Sequence, residues 1–215
     1  MSLSVMERLA AARIVPVVEI EDAAQGVELA RTLLAAGLPT MEVTLRTPAA
    51  LDAIRAIRDE VPTFLVGAGT LLTTVQIDAA VAAGAQFGVA PGFTTTLSGA
   101  AAASGLPFVP GAVTASEMLA AAENGHTYLK FFPAELSGGA AALAALAPPL
   151  AALGIRFMPT GGIRPSNLAS YLSLPSVFAI GGTWIAPRDQ ITNGQFTIIA
   201  ETTRKAVAAA SAFVA

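Results

Sequence analysis

Short apolar runs rich in branched residues recur about every 20 to 25 residues along the chain, and alanine-rich stretches fill the intervals. The runs predict strands at Ile14–Val18, Thr40–Leu45, Phe64–Val66, Gln86–Ala90, Phe108–Val109, Tyr128–Phe132, Arg156–Pro159 and Val177–Ile180. The intervals predict helices such as Ala23–Ala36, Ala49–Asp59, Thr74–Ala83, Ser116–Glu123, Gly139–Leu153 and Ser166–Leu172. Glycine stands at several helix exits where a left-handed cap would be wanted, at Gly37, Gly84, Gly105, Gly125 and Gly154. The opening segment Ser4–Ala12 reads as an extra helix ahead of the first strand.

Strands that are apolar on both faces belong in a parallel sheet covered by helices. Eight strand–helix units with no linker or shift of composition predict one domain over residues 1–215, an α/β fold closed as a (β/α)8 TIM barrel. An open doubly wound sheet is the alternative. The even unit count and the lack of a G-x-G-x-x-G turn after the first strand favour the barrel.

Composition narrows the function classes. Among 215 residues, 54% are apolar and 13% charged, so the chain must be compact and part of its apolar surface is expected to meet copies of itself. A net charge of −3 leaves no electrostatic footprint for nucleic acid. With no cysteine and a single histidine, His126, thiolate chemistry and a histidine metal cluster are excluded. The mean hydropathy of +0.64 raises the question of a membrane. The charge-free stretches Ala79–Ser116 and Leu136–Ile155 are too broken by proline and glycine to span one, and Glu7 and Arg8 interrupt any signal peptide. The expectation is a soluble, cytoplasmic protein.

In a parallel barrel the C-terminal strand ends share one mouth, so polar residues there are the candidates. There are two lysines. Lys205 lies in the last helix beside Arg204 and reads as a solvated face, whereas Lys130 lies inside the sixth predicted strand, among Leu129, Phe131 and Phe132. Apolar burial favours the neutral amine, which can attack a carbonyl; a silent buried ion pair is the alternative. Alternation along "MEVTLRT" puts Glu42, Thr44 and Arg46 on one face. Glu42 is there a candidate partner of Lys130 or a general base, and Arg46 a bidentate fork for a carboxylate. "VGAGT" places Thr70 at a loop with glycines that permit close approach by a ligand. The turns "PTGGIRPSN" and "IGGTW" follow the seventh and eighth strands, where many barrels bind phosphate on backbone N–H groups. An amine nucleophile, a carboxylate, a guanidinium and a phosphate cradle suit Schiff-base chemistry on a phosphorylated keto acid.

Taken in order, "EVTLRT" (42–47), "VGAGT" (66–70), "PG" (91–92), "KFFPAE" (130–135), "PTGGI" (159–163) and "IGGTW" (180–184) resemble the 2-keto-3-deoxy-6-phosphogluconate (KDPG) aldolases, which often act also as 4-hydroxy-2-oxoglutarate (KHG) aldolases. The resemblance implies a (β/α)8 barrel, a homotrimer, a class I lyase of the Entner–Doudoroff pathway, and no cofactor or metal. It implies Lys130 as the Schiff-base lysine and Glu42 as the general acid/base. Arg46, Thr70, Pro91 and Phe132 would surround the pyruvate end, with Thr160 beside the imine. Gly161, Gly162, Gly181, Gly182 and Thr183 would take the phosphate. Two departures are conservative: Thr183 stands where serine is common, and "APG" where "SPG" is common. A third is not, since Glu19 stands where some relatives place an arginine at the end of the first strand. The partners expected are a phosphorylated keto acid and pyruvate. Three rival readings remain: the related 2-keto-3-deoxy-6-phosphogalactonate aldolase, a phosphosugar epimerase or isomerase barrel, and a phosphate-binding barrel without catalysis.

Overall fold

The computed structural model describes residues 3–213. Its strands are β1 (Ile14–Val18), β2 (Thr40–Thr44), β3 (Leu65–Gly69), β4 (Gly88–Val89), β5 (Phe108–Val109), β6 (Tyr128–Phe131), β7 (Arg156–Pro159) and β8 (Ile180–Gly182). Six of them form a parallel sheet in the order β5-β4-β3-β2-β1-β8, and β6 pairs with β7. Single bridges join the two pieces: Gly111 to Lys130 on one side, Phe157 to Val177 and Thr160 to Gly181 on the other. Backbone bonds of 2.8 Å from Ala112 N–H to the Lys130 carbonyl, and from Lys130 N–H to the Pro110 carbonyl, fix that first junction. The ring therefore closes in chain order, as an α/β TIM barrel.

The helices are α1 (Val5–Ala12), α2 (Ala23–Ala35), α3 (Ala50–Glu60), α4 (Thr74–Ala82), α5 (Thr95–Ser104), α6 (Ala115–Glu123), α7 (Gly139–Leu146), α8 (Leu168–Leu172), α9 (Arg188–Thr192) and α10 (Phe196–Ser211). Three of them begin with reciprocal side-chain caps, Ser4 with Glu7, Thr73 with Gln76 and Thr114 with Glu117. The five exit glycines foreseen in the sequence all have positive φ, between 67° and 90°.

Alternation divides the apolar residues between two cores. Ile14, Val18, Met41 and Val43 face outward into the layer shared with the helices. Val15, Leu65, Phe87, Val89, Val109, Met158 and Phe178 fill the lower barrel, and Leu9 of α1 joins them. The N-terminal helix thus plugs the bottom of the ring. Gly67 completes the plug: a Cβ there would lie 2.4 Å from the Phe87 ring, so its absence makes room for that ring in the lower core.

Several elements depart from the expectation, and β3, expected over Phe64–Val66, continues to Gly69. The helix expected over Gly139–Leu153 stops at Leu146, and Pro148–Leu153 continues as a 3-10 helix. Pro148 and Pro149 lack N–H groups and cannot extend the α-helical ladder. The last strand lies later than Val177–Ile180, at Ile180–Gly182, because Val177 makes only one bridge while Gly181 and Gly182 pair with Val15 and Pro16. Glycine carries no apolar signal, so a hydrophobicity pattern places such a strand too early.

Candidate active site

With the lower barrel plugged, the polar inward residues lie at the C-terminal ends of the strands. Glu42 and Thr44 point inward from β2 and are buried, as is Lys130 on β6 across the ring. Lys130 Nζ lies 3.5 Å from Glu42 Oε1 and 5.0 Å from the centroid of the Phe132 ring. A fully closed charged pair sits nearer 2.7–2.9 Å. At 3.5 Å this pair is within reach of proton exchange without being a short, closed contact. The second oxygen, Glu42 Oε2, is buried with no partner among the described residues. An unsatisfied buried carboxylate oxygen is costly and marks a place for a proton donor.

These groups open into a cavity of about 340 Å³. Its walls include Glu42, Thr44, Arg46, Thr70, Pro91, Lys130, Phe132, Thr160, Gly161, Gly162, Gly182 and Thr183, which brings together every expected site residue except Gly181. Gly181 is buried in the wall of β8, where a Cβ would lie 2.1 Å from the Thr160 hydroxyl. Its smallness makes room for Thr160, and it does not line the cavity. Val17 and Ile163 also line it; Val17 lies in none of the motifs, and Ile163 ends "PTGGI" without a role having been given to it. For Val17 the signal was available, since inward alternation from Val15 leads to it.

Local backbone geometry sets the mouth. Thr70 has φ of +60°, costly for a β-branched side chain, and such outliers gather at functional sites. Gly161 and Gly162 have φ of +97° and +81°, and their N–H groups donate to no group among the described residues. Asn167 braces this turn: its Nδ2 donates to the Gly162 carbonyl at 3.2 Å and its Oδ1 accepts from Arg164 N–H at 2.7 Å. Behind the turn, the Tyr171 hydroxyl donates to Glu135. Burial and the Glu135 carboxylate hold that phenol well above its ordinary pKa, so it remains a donor.

Two further glycines matter: Gly69, expected from the sequence to admit a ligand but making room for Glu42, and Gly111, to which no motif gave a role. A Cβ on Gly69 would meet Glu42 Oε1 at 2.0 Å, so the carboxylate occupies the space a side chain would fill. A Cβ on Gly111 would lie 2.1 Å from the Pro91 carbonyl oxygen, and its absence lets the Pro91 loop approach the strand that carries Lys130. At the rim, Arg46 is exposed and its Nη1 donates to Glu19 Oε1 at 2.6 Å. Among the described residues, no group of three or more His, Asp or Glu side chains is placed to hold a metal ion, and no helix is long and apolar enough to cross a membrane.

The arrangement can form an imine at Lys130, exchange a proton at Glu42 and hold anions at the rim and the glycine turn. Similar proteins carry the same fold. The family model "KDPG and KHG aldolase" matches residues 5–202. The KHG/KDPG aldolase of Escherichia coli (strain K12) is 45% identical over 194 residues, 90% of each chain. A crystal structure of KDPG aldolase from Legionella pneumophila, with pyruvate captured at low pH as a covalent carbinolamine intermediate, superposes with a TM-score of 0.90 at 37% identity, covering 94% of this chain and 98% of that one. The enzyme of Zymomonas mobilis ZM4 with 3-phosphoglycerate gives a TM-score of 0.85 at 39% identity, over 93% of this chain and 94% of that one. The chain belongs to the KDPG and KHG aldolase family.

Proposed function

We propose that this protein is a class I aldolase that cleaves KDPG to pyruvate and glyceraldehyde 3-phosphate, and 4-hydroxy-2-oxoglutarate to pyruvate and glyoxylate. The observation that carries the reading is the buried Lys130–Glu42 pair, 3.5 Å apart, opening into a cavity that also holds the glycine turn. The dual name of the Escherichia coli relative and the covalently held pyruvate of the Legionella enzyme support it.

In this reading neutral Lys130 attacks the C2 ketone, and the carbinolamine loses water to give an iminium. Glu42 takes the C4 hydroxyl proton, the C3–C4 bond breaks, and its electron pair moves to the iminium nitrogen as the enamine forms. The C4 fragment leaves as the aldehyde. Glu42, now protonated, returns its proton to C3, and hydrolysis releases pyruvate and Lys130. The unpartnered Glu42 Oε2 offers a second site for that proton. Arg46 and Thr70 hold the carboxylate of the pyruvate half, Pro91 and Phe132 pack against it, and Thr160 lies beside the imine. The N–H groups of Gly161 and Gly162, with Gly182 and Thr183, hold the phosphate.

Residues 1–215 are read as one aldolase domain. Family resemblance and the apolar composition support a homotrimer, and the same resemblance supports a cytoplasmic place in the Entner–Doudoroff pathway. The test is pyruvate release from KDPG, its C4 epimer and 4-hydroxy-2-oxoglutarate. Release from KDPG and 4-hydroxy-2-oxoglutarate is expected; preference for the epimer would reassign the substrate, and no release from any would refute the activity.

A further inference from the structure

Beside the central cavity lies a second one of about 340 Å³, and the two share Val17, Thr44, Arg46 and Thr183. The second compartment is lined by Glu19 and Arg188 instead of the Lys130–Glu42 pair. Glu19, at the end of β1, divides its carboxylate between two cations. Oε1 accepts from Arg46 at 2.6 Å and Oε2 from Arg188 at 3.4 Å. Arg188 is held in turn by Glu21. The Glu19 side chain is 23% exposed, against 60% for each arginine. The carboxylate is therefore the more enclosed partner, and the one that suffers more if left unpaired.

We propose that Glu19 is a specificity-determining residue, a carboxylate of the protein that occupies Arg46 until a ligand carboxylate replaces it, with Arg188 receiving the displaced Glu19. The inference rests on the reading above, in which Arg46 holds the carboxylate of the pyruvate half. Three observations lead to it. Glu19 engages one terminal nitrogen of Arg46, whereas a free carboxylate can take the guanidinium by a two-bond fork and so displace it. Glu19 already touches Arg188 with its other oxygen, so the exchange leaves no carboxylate stranded. The Glu21 contact keeps Arg188 at the receiving position. Glu19 thereby lowers the affinity of the mouth for every carboxylate and discriminates against those that cannot chelate Arg46.

The exchange predicts opposite signs for the two rim residues, which a merely structural network would not. The probe is pyruvate, and the readout is the concentration that half-saturates borohydride trapping, with kcat/KM on KDPG measured beside it. Glu19→Gln removes the competitor, and half-saturation should fall by about two- to fivefold, the worth of an exposed ion pair. Arg188→Gln leaves Glu19 with Arg46 alone, and half-saturation should rise by a similar factor. In the double variant the Arg188 effect should vanish, leaving the Glu19→Gln value. A rise or no change for Glu19→Gln, or an Arg188 effect that survives without Glu19, overturns the exchange. Arg46→Gln separates this from the underlying reading. If it leaves half-saturation unchanged, Arg46 does not hold the carboxylate and both fall. If it weakens pyruvate while Glu19→Gln does not strengthen it, only the exchange falls.

Discussion

Gly69→Ala adds one carbon beside the proposed proton carrier. The position has no positive φ, so alanine is tolerated by the backbone and the effect is steric. The new Cβ would stand 2.0 Å from Glu42 Oε1, 2.5 Å from Cγ and 2.6 Å from Cδ, whereas ordinary contact begins at 3.4 Å. The carboxylate must therefore retreat by about 1.4 Å. It has little freedom to do so, because Glu42 is fully buried and its strand is paired on both sides, Val17 opposite Glu42 on β1 and Gly67 opposite it on β3. Displacing a catalytic group by 1 Å costs on the order of 10²-fold in rate. Overpacking a filled interior costs about 1–3 kcal/mol of stability, roughly 2–12 °C in Tm for a chain of this size. The variant should remain folded, retain the pyruvate–borohydride adduct at Lys130 and lose about 10²-fold in kcat for cleavage. Circular dichroism, trapping and a coupled pyruvate assay read the three quantities. A folded Gly69→Ala protein that cleaves KDPG at near-normal rate would show that the placement of Glu42 does not matter and would refute its role.

Glu42→Gln keeps the shape and removes the proton acceptor; cleavage should fall by roughly 10²–10⁴-fold while trapping persists, and near-normal turnover would make Glu42 a structural partner only. Gly162→Val should lower kcat/KM for KDPG more than for 4-hydroxy-2-oxoglutarate, because φ of +81° and the Glu135 side chain 2.6 Å from the new Cβ distort the turn. Equal losses on the two substrates in a folded variant would mean that the turn is not selective for phosphate. His126 is half-buried between Phe93 and Phe108, with its Nε2 2.7 Å from the Ser98 hydroxyl, and burial lowers its pKa. Below about pH 6.5 the unfolded chain binds a proton that the folded one resists, so this site removes stability as pH falls from there until the lowered folded value is passed. The fall in Tm between pH 7.5 and 5.5 should be smaller in His126→Gln, and an equal or larger fall would contradict the sign.

The ring and its inward lysine were legible because they depend on periods. Alternation of two placed Glu42 and Thr44 inside, and the recurrence of strand and helix gave the closed order of the barrel. Features that arise from contacts between distant segments were not legible. Gly69 reads as one of several glycines until the Glu42 side chain is seen in the space beside it. Gly181 and Gly182 look alike in "IGGTW", yet a Cβ on the first would meet Thr160 and on the second the Trp184 ring. Replacing Gly182 would therefore displace a tryptophan as well as fill the mouth, which makes Gly162 the cleaner test of the phosphate site. Arg46 was visible as a cation at a strand end, but its pairing with Glu19 joins residues 27 apart. Helix α9, which supplies Arg188, left no clear period because it has only five residues.

The central claim is that Lys130 forms an imine with the substrate ketone. The most direct measurement is intact mass and peptide mapping after incubation with pyruvate and borohydride. The account predicts one reduced pyruvate adduct per chain, on the buried Lys130, with the exposed Lys205 unmodified. An unmodified protein, or an adduct at Lys205 in place of Lys130, would contradict it.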